Sequence, residues 1–127
     1  MDKVQHFEIP TDNIERAKKF YKDVFGWRIV DDPKMQYTMI TTGPLDEKGM
    51  SKEPGYIGGG IVKRNPNVPG ICIYMTVESI TASLGKIKNA GGKVVMEPKD
   101  MGGMGIYAFV QDTEGNVVGL WETKIGM

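Results

Sequence analysis

Two side chains near the start of the chain have the types and the spacing for acid–base chemistry. His6 and Glu8 lie two residues apart in a predicted strand that runs from Val4 to Pro10. Side chains two apart in a strand share a face, which would place the imidazole and the carboxylate about 6–7 Å apart at the Cα level. Such a pair can take up and release protons near neutral pH. His6 and Glu8 are therefore the predicted catalytic acid–base pair.

Both residues also have structural interpretations. A strand histidine at the edge of a core can be neutral and hydrogen-bonded to a backbone carbonyl. If this face of the strand pointed outward, Glu8 would be an ordinary surface acid. We favour the inward orientation, because Phe7 and Ile9 have the opposite parity and can then face the helices.

Length and composition limit the classes of protein that fit. With 127 residues, 40% of them hydrophobic, the chain can bury one core and is expected to form a single domain over residues 1–127. The 16 basic and 16 acidic residues cancel, which argues against nucleic acid or membrane surfaces as partners. The sequence shows no signal peptide or membrane span and carries a single cysteine, so we expect a cytoplasmic protein.

The first half, residues 3–63, reads as a strand, a helix and three strands. A helix is predicted to start with a capping box at Asp12 and Glu15 and to end at Gly26. The apolar residues of that helix repeat at helical spacing as Ile14, Ala17, Phe20, Tyr21 and Val24. The remaining elements are strands over 27–30, 36–41 and 56–63, with a turn around residues 31–33 and a long exposed loop over 43–55.

The second half, residues 70–123, repeats that order after a proline-rich linker at residues 64–69. A constant offset of 66 pairs Ile14 with Ile80 and Gly26 with Gly92, so the helix stripe and the helix stop recur together. Strands are predicted over 71–77, 93–97, 106–111 and 116–123, with a hairpin turn at 112–116. The pattern predicts an α+β protein made of two tandem βαβββ modules.

Three stretches of sequence resemble a known superfamily: His6–Pro10, Phe20–Trp27 and the hairpin Phe109–Asn116. Together they are similar to the vicinal oxygen chelate group, which includes glyoxalase I, bleomycin-resistance proteins and extradiol dioxygenases. Within that group, the chain most resembles an uncharacterised branch related to lactoylglutathione lyase. The resemblance implies curved mixed sheets around a ligand cup and pairing into a homodimer.

The resemblance also implies where a metal would bind. Glyoxalase I-type members chelate a divalent ion through the first strand and a carboxylate on the last strand of each half. His6 matches the first position, and the offset of 66 places Cys72 at its counterpart. The two carboxylate positions hold Gly60 and Gly119, which have no side-chain donor. His6 would be the only retained ligand, too few for a catalytic site, so no cofactor is predicted and a divalent metal is disfavoured.

The remaining predicted site residues line the ligand cup. Tyr74 shares a strand face with Cys72, and Trp121 shares one with Gly119. The predicted ligand-binding set is Cys72, Tyr74, Gly60, Gly119 and Trp121. Core packing is the alternative for the aromatic residues, and an inert buried thiol is the alternative for the cysteine. The run Gly58–Gly60 indicates either a β-bulge or room for a group to approach the backbone.

Three functions follow from these observations. The leading hypothesis is a domain that binds a small organic molecule without the ancestral metal chemistry. One alternative is a metal-dependent lyase, isomerase or dioxygenase in which Glu8, Glu122 or a residue of a partner chain replaces the missing carboxylates. The other alternative is a dimer that sequesters a drug or metabolite without transforming it.

Overall fold

A computed structural model describes residues 1–33, 36–48 and 52–124. The long loop predicted over 43–55 therefore lies partly outside the described residues. The turn predicted around 31–33 is described and begins later than predicted, because Asp31 and Asp32 are still strand residues. The chain divides into two compact units: an N-terminal unit, His6–Ile71, and a C-terminal unit formed by residues 1–5 and the chain from Cys72 onward. The α+β class and the two βαβββ modules are confirmed. No helix within the described ranges is long and apolar enough to cross a membrane.

The described residues of the N-terminal unit form one helix and four strands. They are β1 (Lys3–Thr11, entering from the C-terminal unit), α1 (Ile14–Phe25), β2 (Arg28–Asp32), β3 (Tyr37–Thr41) and β4 (Gly58–Lys63). The strand order is β2-β3-β4-β1, with β1 and β4 parallel. Helix α1 begins one residue later than the capping box predicted, because the Asn13 side chain, not that of Asp12, accepts the hydrogen bond from the Arg16 backbone N–H. It ends at Gly26, whose φ of 71° suits glycine.

The core of the N-terminal unit lies between the sheet and α1. Ile9, Ile40 and Ile61 are buried there, and Phe7 packs against them as its parity predicted. The predicted helix stripe is wrong in two positions, because Phe20 and Val24 are 53% and 58% exposed. Successive helix positions differ by about 100° in direction, which places Phe20 about 60–120° from Ile14, Ala17 and Tyr21 and turns it toward solvent. Val24 lies in the last turn of the helix.

The C-terminal unit repeats the arrangement with β5 (Cys72–Thr76), α2 (Ile80–Asn89), β6 (Lys93–Asp100), β7 (Gly105–Gln111) and β8 (Val117–Thr123). Its strand order is β5-β8-β7-β6, with β5 and β8 parallel. Ser79 caps α2 as predicted, by accepting a hydrogen bond from the Ala82 backbone N–H. The core residues of this unit are Val77, Ile80, Leu84, Ala108, Val110 and Leu120.

The strand registers show how the two modules correspond. Glu8 on β1 lies opposite Gly60 on β4, and Tyr74 on β5 lies opposite Gly119 on β8. Glu8 and Tyr74 are separated by the offset of 66 that pairs the helices. Gly60 and Gly119 are therefore equivalent positions, as their sequence pattern predicted.

Candidate functional site

The side chains of His6 and Glu8 meet at one hydroxyl group. Tyr37 Oη donates a hydrogen bond to Glu8 Oε2 at 2.7 Å, and His6 Nε2 lies 2.8 Å from Tyr37 Oη. With the tyrosine proton directed to the carboxylate, the His6 tautomer that carries its proton on Nε2 completes the bond to Tyr37. The result is a chain of hydrogen bonds from imidazole to phenol to carboxylate. We call these three residues the proton chain.

The proton chain lies on the sheet face opposite α1. The alternation of side chains along the strands shows which face this is. Phe7, Ile9 and Ile40 alternate with the residues of the proton chain and point into the core beneath the helix. Glu8 is only 7% exposed, whereas His6 and Tyr37 are half-buried. Burial lowers the pKa of His6 from its ordinary value, since removing the imidazole from water disfavours its charged form. Burial therefore favours the neutral imidazole.

Gly60 allows Tyr37 to reach this position. Tyr37 belongs to β3, and its hydroxyl crosses over β4 to meet two residues of β1. A Cβ atom at Gly60 would coincide with the Tyr37 hydroxyl oxygen. Of the two interpretations of the glycine run, the structure shows room for an approaching group, because β4 keeps a continuous register with β1. Gly59 similarly makes room for the Phe7 ring.

The donor set available to a metal is small. Of the predicted ligand positions in the N-terminal unit, His6 supplies one nitrogen and Gly60 supplies no side chain. No group of three His, Cys, Asp or Glu side chains converges anywhere in residues 1–33, 36–48 and 52–124. The inherited ligand set of the fold therefore does not fit these residues, because catalytic metal sites use about three protein ligands.

The predicted site residues of the C-terminal unit are packed more tightly. Cys72 and Tyr74 are buried, and the Tyr74 ring meets Phe109 edge-on at 5.7 Å between centroids. A Cβ atom at Gly119 would overlap the Tyr74 ring. Trp121 is half-buried, and its indole N–H donates to Thr123 Oγ1 at 2.9 Å. The ligand-binding roles of these residues and of Gly60 stay predictions.

Glu122, considered as a substitute metal ligand, has a structural contact. Its Oε1 atom accepts a hydrogen bond of 2.7 Å from the backbone N–H of Ile80, at the first turn of α2. A carboxylate there satisfies a helix N–H that has no partner within the helix and interacts favourably with the helix dipole. This contact directs Glu122 to the helix side of its sheet.

Tyr37 is the site residue that the sequence did not reveal. It lies beyond the point where the offset of 66 holds, because β2 has five residues and its counterpart β6 has eight, so the repeat gave no counterpart for Tyr37. The available signal was Gly60, because a glycine inside a strand marks a place where another group comes close.

The chain is similar to several known proteins. A family model described as bleomycin resistance protein-like N-terminal matches residues 3–43. A glyoxylase-like domain-containing protein of Didymella fabae is 31% identical over 118 residues, which cover 89% of this chain and 88% of that protein. The lactoylglutathione lyase of Haemophilus influenzae is 26% identical over 125 residues, covering 95% and 93%.

The fold has matches among solved structures. A glyoxalase/bleomycin resistance protein/dioxygenase superfamily member from Vibrio splendidus superposes with a TM-score of 0.61 at 14% identity, covering 97% of this chain and 99% of the other. Some relatives are longer, and the chain spans 44% of the length of one from Mycobacterium bovis. At 14% identity, the likeness to the Vibrio splendidus structure supports the fold alone.

Proposed function

Because the chain belongs to the glyoxalase/bleomycin-resistance/dioxygenase superfamily, we propose that it binds a small organic molecule at the proton chain, without the superfamily's metal chemistry. The observation that carries this proposal is the position of the Tyr37 hydroxyl. It stands over Gly60, in the space that a carboxylate side chain would need, and it joins His6 to Glu8.

The side chains available as metal ligands support the proposal that binding needs no metal. An ion bound by His6 would need two or more further protein ligands, and the nearest hydroxyl is already hydrogen-bonded to Glu8. A neutral phenol is a poor ligand for a hard divalent ion compared with a carboxylate. The proton chain is therefore better suited to hydrogen bonding than to chelation.

The proton chain suits a ligand that can exchange hydrogen bonds or a proton with it. Burial lowers the pKa of His6 and so favours its neutral form, and Glu8 is largely shielded from water. A carbonyl or hydroxyl group of a bound molecule could form hydrogen bonds with this chain, and the phenol could pass a proton between ligand and carboxylate. General acid–base assistance of this kind contributes about 10²–10⁴-fold to a rate. His6, Tyr37 and Glu8 would then be catalytic residues.

The experiment uses the single histidine of the chain as a reporter. Untagged protein is treated with a chelator and titrated with a panel of small carbonyl and hydroxyl compounds, while the His6 ring protons are followed by NMR. We expect binding that shifts the His6 signals and is equally strong before and after chelation. Tyr37→Phe should weaken it, because the hydroxyl is lost while the ring remains.

A matched control is Tyr107→Phe, because Tyr107 is a half-buried strand tyrosine whose hydroxyl has no hydrogen bond with the described residues. This variant should bind as the wild type does. A tight stoichiometric divalent metal in the untagged protein, lost on His6→Ala, would contradict the proposal. So would binding that depends on adding metal back.

Similarity to lactoylglutathione lyase favours a second candidate, a metal-dependent lyase, isomerase or dioxygenase. Assays of hemithioacetal isomerisation and of catechol cleavage with added Zn, Ni, Mn or Fe distinguish it from the first. Turnover that requires one of these metals would favour this candidate. Absence of turnover with all of them would count against it.

Sequestration by a homodimer is the third candidate, favoured by the family model matched at residues 3–43. The N-terminal unit exposes an apolar surface suited to a second copy of this chain. Phe20 and Phe25 are more than half exposed. The Phe20 ring meets Tyr21 and Phe25 edge-on at 5.1 and 6.3 Å between centroids, and the Phe25 ring lies 6.1 Å from Tyr21 and 5.6 Å from Trp27. Pairing into a homodimer and a cytoplasmic location both stay predictions. A monomer in sedimentation at micromolar concentration would contradict sequestration by a homodimer.

A further inference from the structure

Arg28 lies on the same sheet face as the proton chain and has an unmatched charge. It begins β2, where Ile29 points into the core and Arg28 and Val30 point to the opposite face. It is exposed and forms no ion pair or hydrogen bond with the residues that the structure describes. The neighbouring acid Asp31 faces α1 instead, where Lys18 Nζ contacts it at 2.7 Å.

The strand registers place Arg28 in one row with His6. Arg28 lies opposite Thr41, and His6 lies opposite Gly58. Since Ile40 lies opposite Gly59, these two pairs fall in the same row across the four strands. Three strand spacings of about 4.8 Å separate the two ends of the row, which is about 14 Å at the Cα level.

The surface between the ends of this row is open and partly apolar. Gly58 contributes no side chain, and an added Cβ there would meet only a backbone oxygen, that of Ile40. Met39 and Val30 lie opposite each other in the next row and are each 47% exposed. A bound molecule would therefore have a polar end at His6, an apolar side at Met39 and Val30, and a cation at the far end.

We infer that the ligand of the proton chain is an organic anion whose carboxylate binds Arg28, with the Thr41 hydroxyl beside it. This inference rests on the proposed function and adds the class of ligand. A guanidinium offers two parallel N–H groups to a carboxylate, which gives both attraction and orientation. The other end of the same molecule then meets the Tyr37 hydroxyl. Arg28 is a specificity-determining residue in this arrangement.

The test compares an acid with its neutral amide, using 4-(4-hydroxyphenyl)butyrate and 4-(4-hydroxyphenyl)butanamide as probes, so that each probe keeps a hydroxyl for the proton chain, and the His6 ring protons as reporter. The wild type should bind the acid about tenfold to a hundredfold more tightly, as expected for a hydrogen bond between charged groups. Arg28→Gln should remove this preference, because it weakens binding of the acid far more than binding of the amide. Added salt should weaken binding of the acid more than that of the amide.

Arg16→Gln is the matched control. Arg16 is also exposed and makes no ion pair with the described residues, but it lies on α1, on the other side of the sheet. It should keep the preference for the acid. Equal binding of both probes by the wild type, or a preference that survives Arg28→Gln, would overturn the inference while leaving the proposed function standing. If neither probe shifts the His6 signals, both fail.

Discussion

The two modules use the same pair of positions differently. In the N-terminal unit Glu8 lies opposite Gly60, and in the C-terminal unit Tyr74 lies opposite Gly119. A tyrosine covers the glycine in both, but it comes from different strands. Tyr37 reaches Gly60 from β3 with its hydroxyl, whereas Tyr74 lies on β5 and covers Gly119 with its ring.

The two glycines therefore make room for different kinds of contact, one polar and one between core side chains. The Tyr37 hydroxyl meets Glu8 and His6, so the glycine opposite Glu8 makes room for a polar contact. The Tyr74 ring meets Phe109, so the glycine opposite Tyr74 makes room for a core aromatic. Two copies of a repeated scaffold can thus keep equivalent backbone positions while one copy places polar side chains there and the other places packed aromatic side chains.

The largest effect is expected from filling the glycine of the C-terminal unit. In Gly119→Ala the new methyl group would overlap the Tyr74 ring, which is buried and has little room to move. Overpacking of this kind costs about 1–3 kcal/mol, and we expect the free energy of unfolding to fall by the upper part of that range. Urea titration followed by far-UV circular dichroism measures it.

Gly85→Ala is the control for that variant. Gly85 lies inside α2, and a Cβ atom there would meet nothing within 4 Å outside its own helix. The free energy of unfolding should rise by about 0.5–1 kcal/mol, because alanine loses less backbone entropy in a helix. A Gly119→Ala protein as stable as the wild type would show that Tyr74 is not fixed over the glycine.

A smaller effect on stability is expected from Gly60→Ala. The added methyl would displace only the hydroxyl end of Tyr37, a half-buried side chain that can shift. Stability should fall by about 1 kcal/mol, because hydrogen bonds are lost and the core is not overpacked. The His6 ring signals should move as its Tyr37 contact breaks. Unchanged His6 signals would contradict the position assigned to Tyr37.

The sequence predicted the parts of this comparison that depend on local periodicity. The offset of 66 relates α1 to α2 and Glu8 to Tyr74. It could be found because the apolar stripe of a helix and the alternation of a strand are both visible within a few consecutive residues. The inward direction of Glu8 also followed from the parity of Phe7 and Ile9. These features need no knowledge of which strands pair.

The sequence could not predict contacts that depend on pairing between distant strands. Tyr37 meets Glu8 across β4, a contact set by two registers and by the length of the segment between β3 and β4. Arg28 likewise joins the row of His6 only through three strand pairings. The exposure of Phe20 was missed for a related reason, since the rotation of α1 is set by the sheet it packs on.

The smallest effect is a dependence of stability on pH that belongs to the N-terminal unit. His6 is the chain's only histidine, and Cys72 takes its place in the other module. Because burial lowers the pKa of His6 below its ordinary value of 6.5, the unfolded chain binds a proton more readily than the folded one. The stability is fully present above pH 6.5 and falls as the pH drops from 6.5 toward the folded pKa.

Urea titrations between pH 5 and pH 8 measure this slope, and an NMR titration of the His6 ring gives the folded pKa directly. His6→Gln should remove the slope. Asp31, Asp100 and Asp112 have pKa values lowered by their hydrogen bonds, so they affect stability only near and below 3.8, outside this range. Near His6, the titratable neighbours are Tyr37 and Glu8, so Tyr37→Phe should change the folded pKa. A pKa of 6.5 or higher in the wild type would contradict the burial of His6, and a slope that survives His6→Gln would assign it to another group.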